Sequence, residues 1–236
     1  MKPWDATELE FDAATFCGVS RLFPLPNLVL YPHVMQPLHI FEERYREMLE
    51  DALAGDRLVT MALLEPGWET DYESRPPIAP YGCLGKVVAH HRQEDGRYNV
   101  LLLGVERVRI VEELDPLRSF RQAKVEIVED RYDFQSKAEM KRIQDTLLSA
   151  FQEHLPGKCQ LPEQLQEMLS RHLPLGPLTD LAAYALPLDL QVKQKLLSEP
   201  RVSIRAQMML QQVAALAGKS SRVAAKLDFP PRFSDN

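Results

Sequence analysis

Gly218-Lys219-Ser220 ends as a phosphate-cradling loop ends. The full pattern needs a glycine five residues earlier, and Val213 stands there. A helix-period run precedes the triplet where a strand is required, and 16 residues follow it, so it reads as a helix cap and tail. His90 and His91 are adjacent. On a strand their rings point to opposite faces, so they would not share one metal. No HExxH run or Cys/His cluster supports zinc. Cys17, Cys83 and Cys159 form no CxxC pair and read as unpaired thiols of a reducing compartment. Serine, histidine and aspartate occur without a GxSxG elbow. Glu42-Glu43 and Glu112-Glu113 read as surface charge, because a catalytic carboxylate pair needs facing geometry that adjacency does not give. The sequence therefore assigns no catalytic, cofactor-binding or metal-ligating residue.

Binding is the chemistry that the remaining residues suggest. Residues 65–80 carry Pro66, Gly67, Pro76, Pro77 and Pro80, a long irregular stretch of the kind that is often functional. Trp68, Tyr72 and Tyr81 lie in or beside it and are the candidates for polypeptide contact, since aromatics dominate interface energetics. The alternative is that they cover the end of a β-domain. Glu69, Asp71 and Glu73 would favour partners that combine apolar and basic residues. Arg107 and Arg109 share a strand face, either paired with acids such as Glu126 or facing a partner.

These residues need elements to hold them. The chain is organised around residues 21–57. Apolar stretches at 21–25 and 28–31, broken by Pro24, Pro26 and Pro32, predict short bent strands. A third stretch, 36–40, runs into a helix whose stripe is Phe41, Tyr45, Met48, Leu49, Ala52 and Leu53. Gly55 is its expected left-handed stop. Residues 57–64 predict a buried strand. Residues 81–93 and 97–106 flank the hairpin turn Glu94-Asp95-Gly96. Gly82, Gly85 and Gly104 suggest bends or close backbone crossings, as a barrel needs. Strand character continues through 107–113 and 120–128, and many short strands around one helix fit a small barrel.

From residue 135 the period is helical. Met140, Ile143, Leu147, Leu148, Phe151 and Leu155 form one stripe. Further helices are expected over 161–173, from Pro177 or Thr179 to 186, over 190–197 behind Asp189, and from Ser203 to Gly218. The expected division is an acidic tail over 1–19, a β-domain over 20–130, a helical domain over 131–218 and a basic tail over 219–236.

Of 236 residues, 45% are hydrophobic and 26% charged, as in ordinary globular chains. Net charge is −6, and the β-domain stretch 20–128 carries 13 basic against 17 acidic residues. A nucleic-acid module usually shows a basic footprint, so nucleic acid is an unlikely partner. The N-terminus is acidic without an apolar signal core, and no apolar run is long enough to span a membrane, so the cytoplasm is the expected location.

Several ordered motifs resemble the N-terminal, substrate-binding domain of Lon proteases. They are FPLPNLVLYP, PLHIFEERYREMLEDAL and GDR in the opening stretch, Tyr81-Gly82-Cys83-Leu84-Gly85, Asp95-Gly96-Arg97-Tyr98, and the run from Leu103 to Ile110. LPLDLQVKQKLLSEPRVSIRAQMML near the end resembles the family's closing helices. The resemblance implies an α+β chain: a PUA-like β-barrel with one internal helix, followed by a helical bundle. It implies binding of an unfolded or specific polypeptide without cutting it, in a free-standing member lacking ATPase and peptidase domains, with a protease or chaperone in trans as a conceivable partner. PUA-like barrels also bind RNA, which is the alternative function. Purified protein is expected to hydrolyse neither ATP nor casein above background. Turnover that copurifies with the chain and disappears on a point mutation would overturn the non-enzyme expectation.

Overall fold

The computed structural model describes residues 11–70, 72, 75–154, 173–219 and 234–235. Trp4, Cys159, the helix expected over 161–173 (all but its last residue) and most of the basic tail lie outside them. The described residues fall into two compact units, one up to Val128 with the last strand, the other from Glu129.

In the first unit the strands are β1 (Val19–Leu25), β2 (Met35–Ile40), β3 (Leu58–Leu64), β4 (Ile78–Arg92), β5 (Tyr98–Glu113) and β6 (Gln122–Ile127), with α1 (Glu43–Ala54) between β2 and β3. Hydrogen bonding runs β4-β3-β1-β6-β5 and returns from β5 to β4, so five strands close a barrel. Only β1 and β3 within that ring are parallel. Parallel neighbours need a crossover, and the segment holding β2 and α1 supplies it. β2 pairs with the first half of β5 outside the ring, and a two-residue strand, β7 (Ser234–Asp235), lies parallel to β2.

The hairpin β4–β5 turns through Gly96, whose φ of +83° suits glycine. Its strands shift register twice and bend. The tightest backbone approach is at Gly104. A Cβ there would lie 2.0 Å from the Tyr31 carbonyl oxygen. The Gly104 N–H donates to the Val34 carbonyl at 2.9 Å, and its own carbonyl accepts from His33 at 2.8 Å.

The segment 28–31, expected as a strand, is a buried loop instead. Pro26 and Pro32 bracket it, and a proline lacks the N–H that a ladder needs. Phe11 and Phe16 pack against the barrel core.

α1 follows its stripe over Tyr45, Met48, Leu49 and Ala52, all buried. Phe41 is corrected: it precedes the helix and is 39% exposed. Gly55 does end the helix, but with φ −120° and not in the left-handed region. The positive φ of +63° falls at Arg57, whose N–H donates to the Ala52 carbonyl. Arg21 ties this corner to β1, with Nε 2.5 Å from Asp51 and Nη1 2.7 Å from Asp56.

In the second unit α2 (Lys137–His154), α3 (Leu175–Ala185), α4 (Leu190–Ser198) and α5 (Val202–Lys219) bury Leu147, Phe151, Leu178, Ala182, Leu196 and Met209 together. α3 starts at Leu175, earlier than expected, behind Pro174. Asp189 stands at the N-cap of α4 but its side chain makes no cap bond. Ser203 does not cap α5; its hydroxyl donates to Asp133. A fully buried Arg205 crosses the helices, forking onto Asp130 at 2.9 and 2.6 Å and donating to Thr179 at 2.9 Å.

The helix phase can be tested directly. Leu49 is 1% exposed and Glu50 lies in solvent. Leu49→Ala should lower unfolding free energy by about 2–5 kcal/mol, and Glu50→Ala by far less, measured by chemical denaturation. Equal losses would mean the helix is rotated.

Candidate functional site

One end of the barrel gathers the features that could bind a partner. β1 and β3 finish there, β4 and β6 begin there, β5 ends there, and α1 starts beside them. The connecting loops are therefore brought together by strand direction alone. Trp68 sits in a short 3₁₀ turn, Trp68–Thr70, after β3. Its ring meets Tyr72 edge-on, centroids 5.3 Å apart and planes 68° apart, a favoured aromatic geometry.

Tyr72 is anchored from α1. Its hydroxyl donates to Glu42 at 2.5 Å. Its carbonyl accepts from Arg44 at 3.2 Å, and the Arg44 guanidinium lies 4.7 Å over its ring. The same guanidinium lies 4.8 Å over Tyr45, a second cation–π pairing. Arg44 also pairs with Glu42 at 2.8 Å. Burial, then the bond to Glu42, raises the Tyr72 phenol above its ordinary pKa, so it remains a donor at neutral pH. Burial likewise raises Tyr45, whose hydroxyl donates to the Pro24 carbonyl at 3.2 Å.

Beside this ridge lies a cleft of roughly 270 Å³. Its apolar walls include Leu64, Tyr45 and the buried Phe120. Arg44, Arg75, Arg118 and Arg121 also line it, and among the described residues no acidic one does. Arg121 is fixed by two bonds to Glu113, at 2.8 and 2.5 Å, and by one to the Pro76 carbonyl at 2.9 Å. Arg75 donates to the Leu114 carbonyl at 3.1 Å. Arg118 is mostly exposed and reaches Asp51 at 3.7 Å.

The structure brings Trp68 and Tyr72 together and leaves Tyr81 apart. Tyr81 is on β4 opposite Arg109 and does not line the cleft. Asp71 and Glu73 lie outside the described residues. Glu42 and Glu113, read from sequence as surface charge, are instead the partners that fix Arg44 and Arg121. Glu112 pairs with Lys124, and Arg109 pairs with Glu126 at 2.6 Å. Sequence reasoning missed the four arginines. Arg75 and Arg121 carried a weak signal, adjacency to a proline or an aromatic in a connecting segment (Arg75-Pro76, Phe120-Arg121), and Arg44 and Arg118 lacked even that. Among the described residues no three His, Cys, Asp or Glu side chains gather as a metal site would need, and no helix is long and apolar enough to cross a membrane.

The first unit is thus a PUA-like barrel that carries an aromatic ridge and a cleft at one end, and the second unit is helical. The model of the ATP-dependent protease La (LON) substrate-binding domain matches residues 19–215, and the chain belongs to that family. The Lon protease of Dictyoglomus thermophilum is 29% identical over 191 residues, covering 80% of this chain and 23% of that protein. Lon protease 1 of Bdellovibrio bacteriovorus is 27% identical, covering 84% and 25%. The chain thus spans about a quarter of the length of the curated relatives it matches. The N-terminal domain of the Mycobacterium avium complex Lon protease shares the fold with a TM-score of 0.63 at 16% identity, over 83% of this chain and 98% of that one. A Lon N-terminal domain protein from Xanthomonas campestris does so at 0.59 and 21%, over 84% and 97%.

Glu42 is the anchor that holds the ridge to the helix. Glu42→Ala should speed proteolytic cutting within residues 65–80 several-fold while costing about 1–3 kcal/mol, the scale of losing a charged hydrogen-bond partner. Unchanged cutting would show that Tyr72 is held without it.

Proposed function

We propose that the chain is a non-enzymatic polypeptide-binding module that holds exposed apolar segments of other proteins. The observation that carries this reading is the pre-ordered Trp68–Tyr72 pair. Its edge-on contact and its anchorage on Glu42 and Arg44 hold two large amphipathic rings at the rim of a cleft. Rings already fixed in place lose little side-chain entropy on binding, so more of the contact energy appears as affinity. Leu117, 89% exposed on the loop that also supplies Arg118, adds apolar surface at the same end of the barrel.

Membership of a substrate-binding family supports this reading at the level of class. The relatives named Lon protease are about four times longer than the matched segment. Any cooperation of this chain with a protease or chaperone in trans belongs to the proposal. The excess of acid over base across residues 20–128 disfavours the RNA-binding alternative, because phosphate contacts supply most nucleic-acid affinity.

The chain has two tryptophans, so Trp4→Phe leaves Trp68 as a lone reporter. Adding reduced, carboxymethylated casein should shift its emission. Trp68→Ala should weaken that binding about tenfold or more, as truncating an aromatic hot spot does. A folded Trp68→Ala protein that binds as tightly as the parent would make the ridge only a lid on the barrel.

A further inference from the structure

The composition of the cleft is unusual for the unit that contains it. Residues 20–128 carry more acid than base, yet among the described residues the cleft lining holds four guanidinium groups and no carboxylate. Two of the four are committed. Arg44 is paired with Glu42, and Arg121 is nine-tenths buried and forked onto Glu113. These pairs make the inner wall rigid, and neither carboxylate lines the cleft.

The other two are not matched in this way. Among the described residues Arg75 is exposed and meets a carbonyl oxygen but no carboxylate. Arg118 reaches Asp51 only at 3.7 Å, and that carboxylate is already held by Arg21 at 2.5 Å. Glu47, also close, accepts the Ser119 hydroxyl. Among the described residues, two guanidinium groups therefore stand at the cleft with donors to spare, over walls that include Leu64 and Phe120.

Guanidinium forks match carboxylates in shape and bond them bidentately. Apolar walls beside them suit a hydrocarbon side chain attached near that carboxylate. We propose that this cleft is a carboxylate subsite, in which Arg75 and Arg118 take a carboxylate of the bound polypeptide while Leu64 and Phe120 receive the apolar side chain next to it. The inference rests on the polypeptide-binding reading and gives it polarity. The acids of the 65–80 loop suggested basic partners, whereas the cleft selects an acidic group at one point along the bound chain. Two sources supply that chemistry, a C-terminal α-carboxylate or an internal Asp or Glu.

The test uses the full chain and a fluorescein-labelled octapeptide ending in Leu-Phe. The peptide is made with a free C-terminus, with an amidated C-terminus, and amidated with an internal Asp before the Leu. Amidation should weaken binding roughly tenfold, the scale of one charge-assisted hydrogen bond. An Arg75→Gln, Arg118→Gln double variant should weaken the free-acid peptide by a similar factor and leave the amidated peptide unchanged. Recovery with the internal Asp means that any carboxylate serves; no recovery means that the chain terminus is required. Both outcomes support the subsite. Less than a twofold difference between free acid and amide on the parent protein, with casein still bound, overturns it and leaves the polypeptide-binding reading standing. Failure to bind casein or any peptide removes both. Tighter binding of a single-stranded oligoribonucleotide, lost in the same double variant, overturns it in favour of phosphate.

Discussion

The barrel closes because one hairpin serves two neighbourhoods. β4 and β5 are 15 and 16 residues long, far beyond the usual five or six residues of a strand. In the ring, the end of β5 lies between β4 and β6. Near the turn, the other half of β5 lies between β4 and β2. A strand can do this only if the sheet twists sharply, and the register shifts after Leu84, Val87 and Ile110 are where that happens. The Gly104 contact fixes the bend on the β2 side, since any side chain there would collide with the Tyr31 carbonyl.

Closure also explains where the candidate surface lies. A closed ring of strands collects its connecting loops at two ends. The prolines and aromatics of residues 65–80 and the arginines of the β5–β6 loop meet at one of them, because both segments leave strands at that end. Neither loop has a strand ladder of its own to stiffen it. Their order comes from side-chain bonds into the barrel and α1: Tyr72 to Glu42, Arg121 to the Pro76 carbonyl, and Ser119 to Glu47. Loops placed on a rigid frame in this way are the usual seat of recognition.

The helical unit solves a different problem with a similar device. Arg205 is completely buried, and an isolated buried charge is costly. The fork onto Asp130, the bond to Thr179, the Glu199 carbonyl at 2.9 Å and the neighbouring Asp180 at 3.4 Å offset that cost. Each partner comes from a different part of the unit, so the network fixes how α5 meets α3 and the segment before α2. A Cβ at Gly176 would lie 2.5 Å from the Asp130 carboxylate, so the start of α3 must be glycine for the network to fit.

What the sequence determined by itself was local and periodic. The stripe of α1 specified which face to bury, because side chains every three or four residues share a face. The Asp95-Gly96 turn specified a hairpin, because glycine there accepts a positive φ. The motif order in residues 21–57 was enough to indicate the family. Tertiary structure decided what depends on residues far apart in the chain. It packed residues 28–31, an expected strand, as a buried loop whose Tyr31 carbonyl lies against Gly104, more than 70 positions away. It separated Tyr81 from Trp68 and Tyr72, because strand pairing sends β4 away from the loop that precedes it. It gathered Arg44, Arg75, Arg118 and Arg121 into one cleft from three separate segments. Charge in a sequence shows amount but not address, and only closure of the ring brought these cations together.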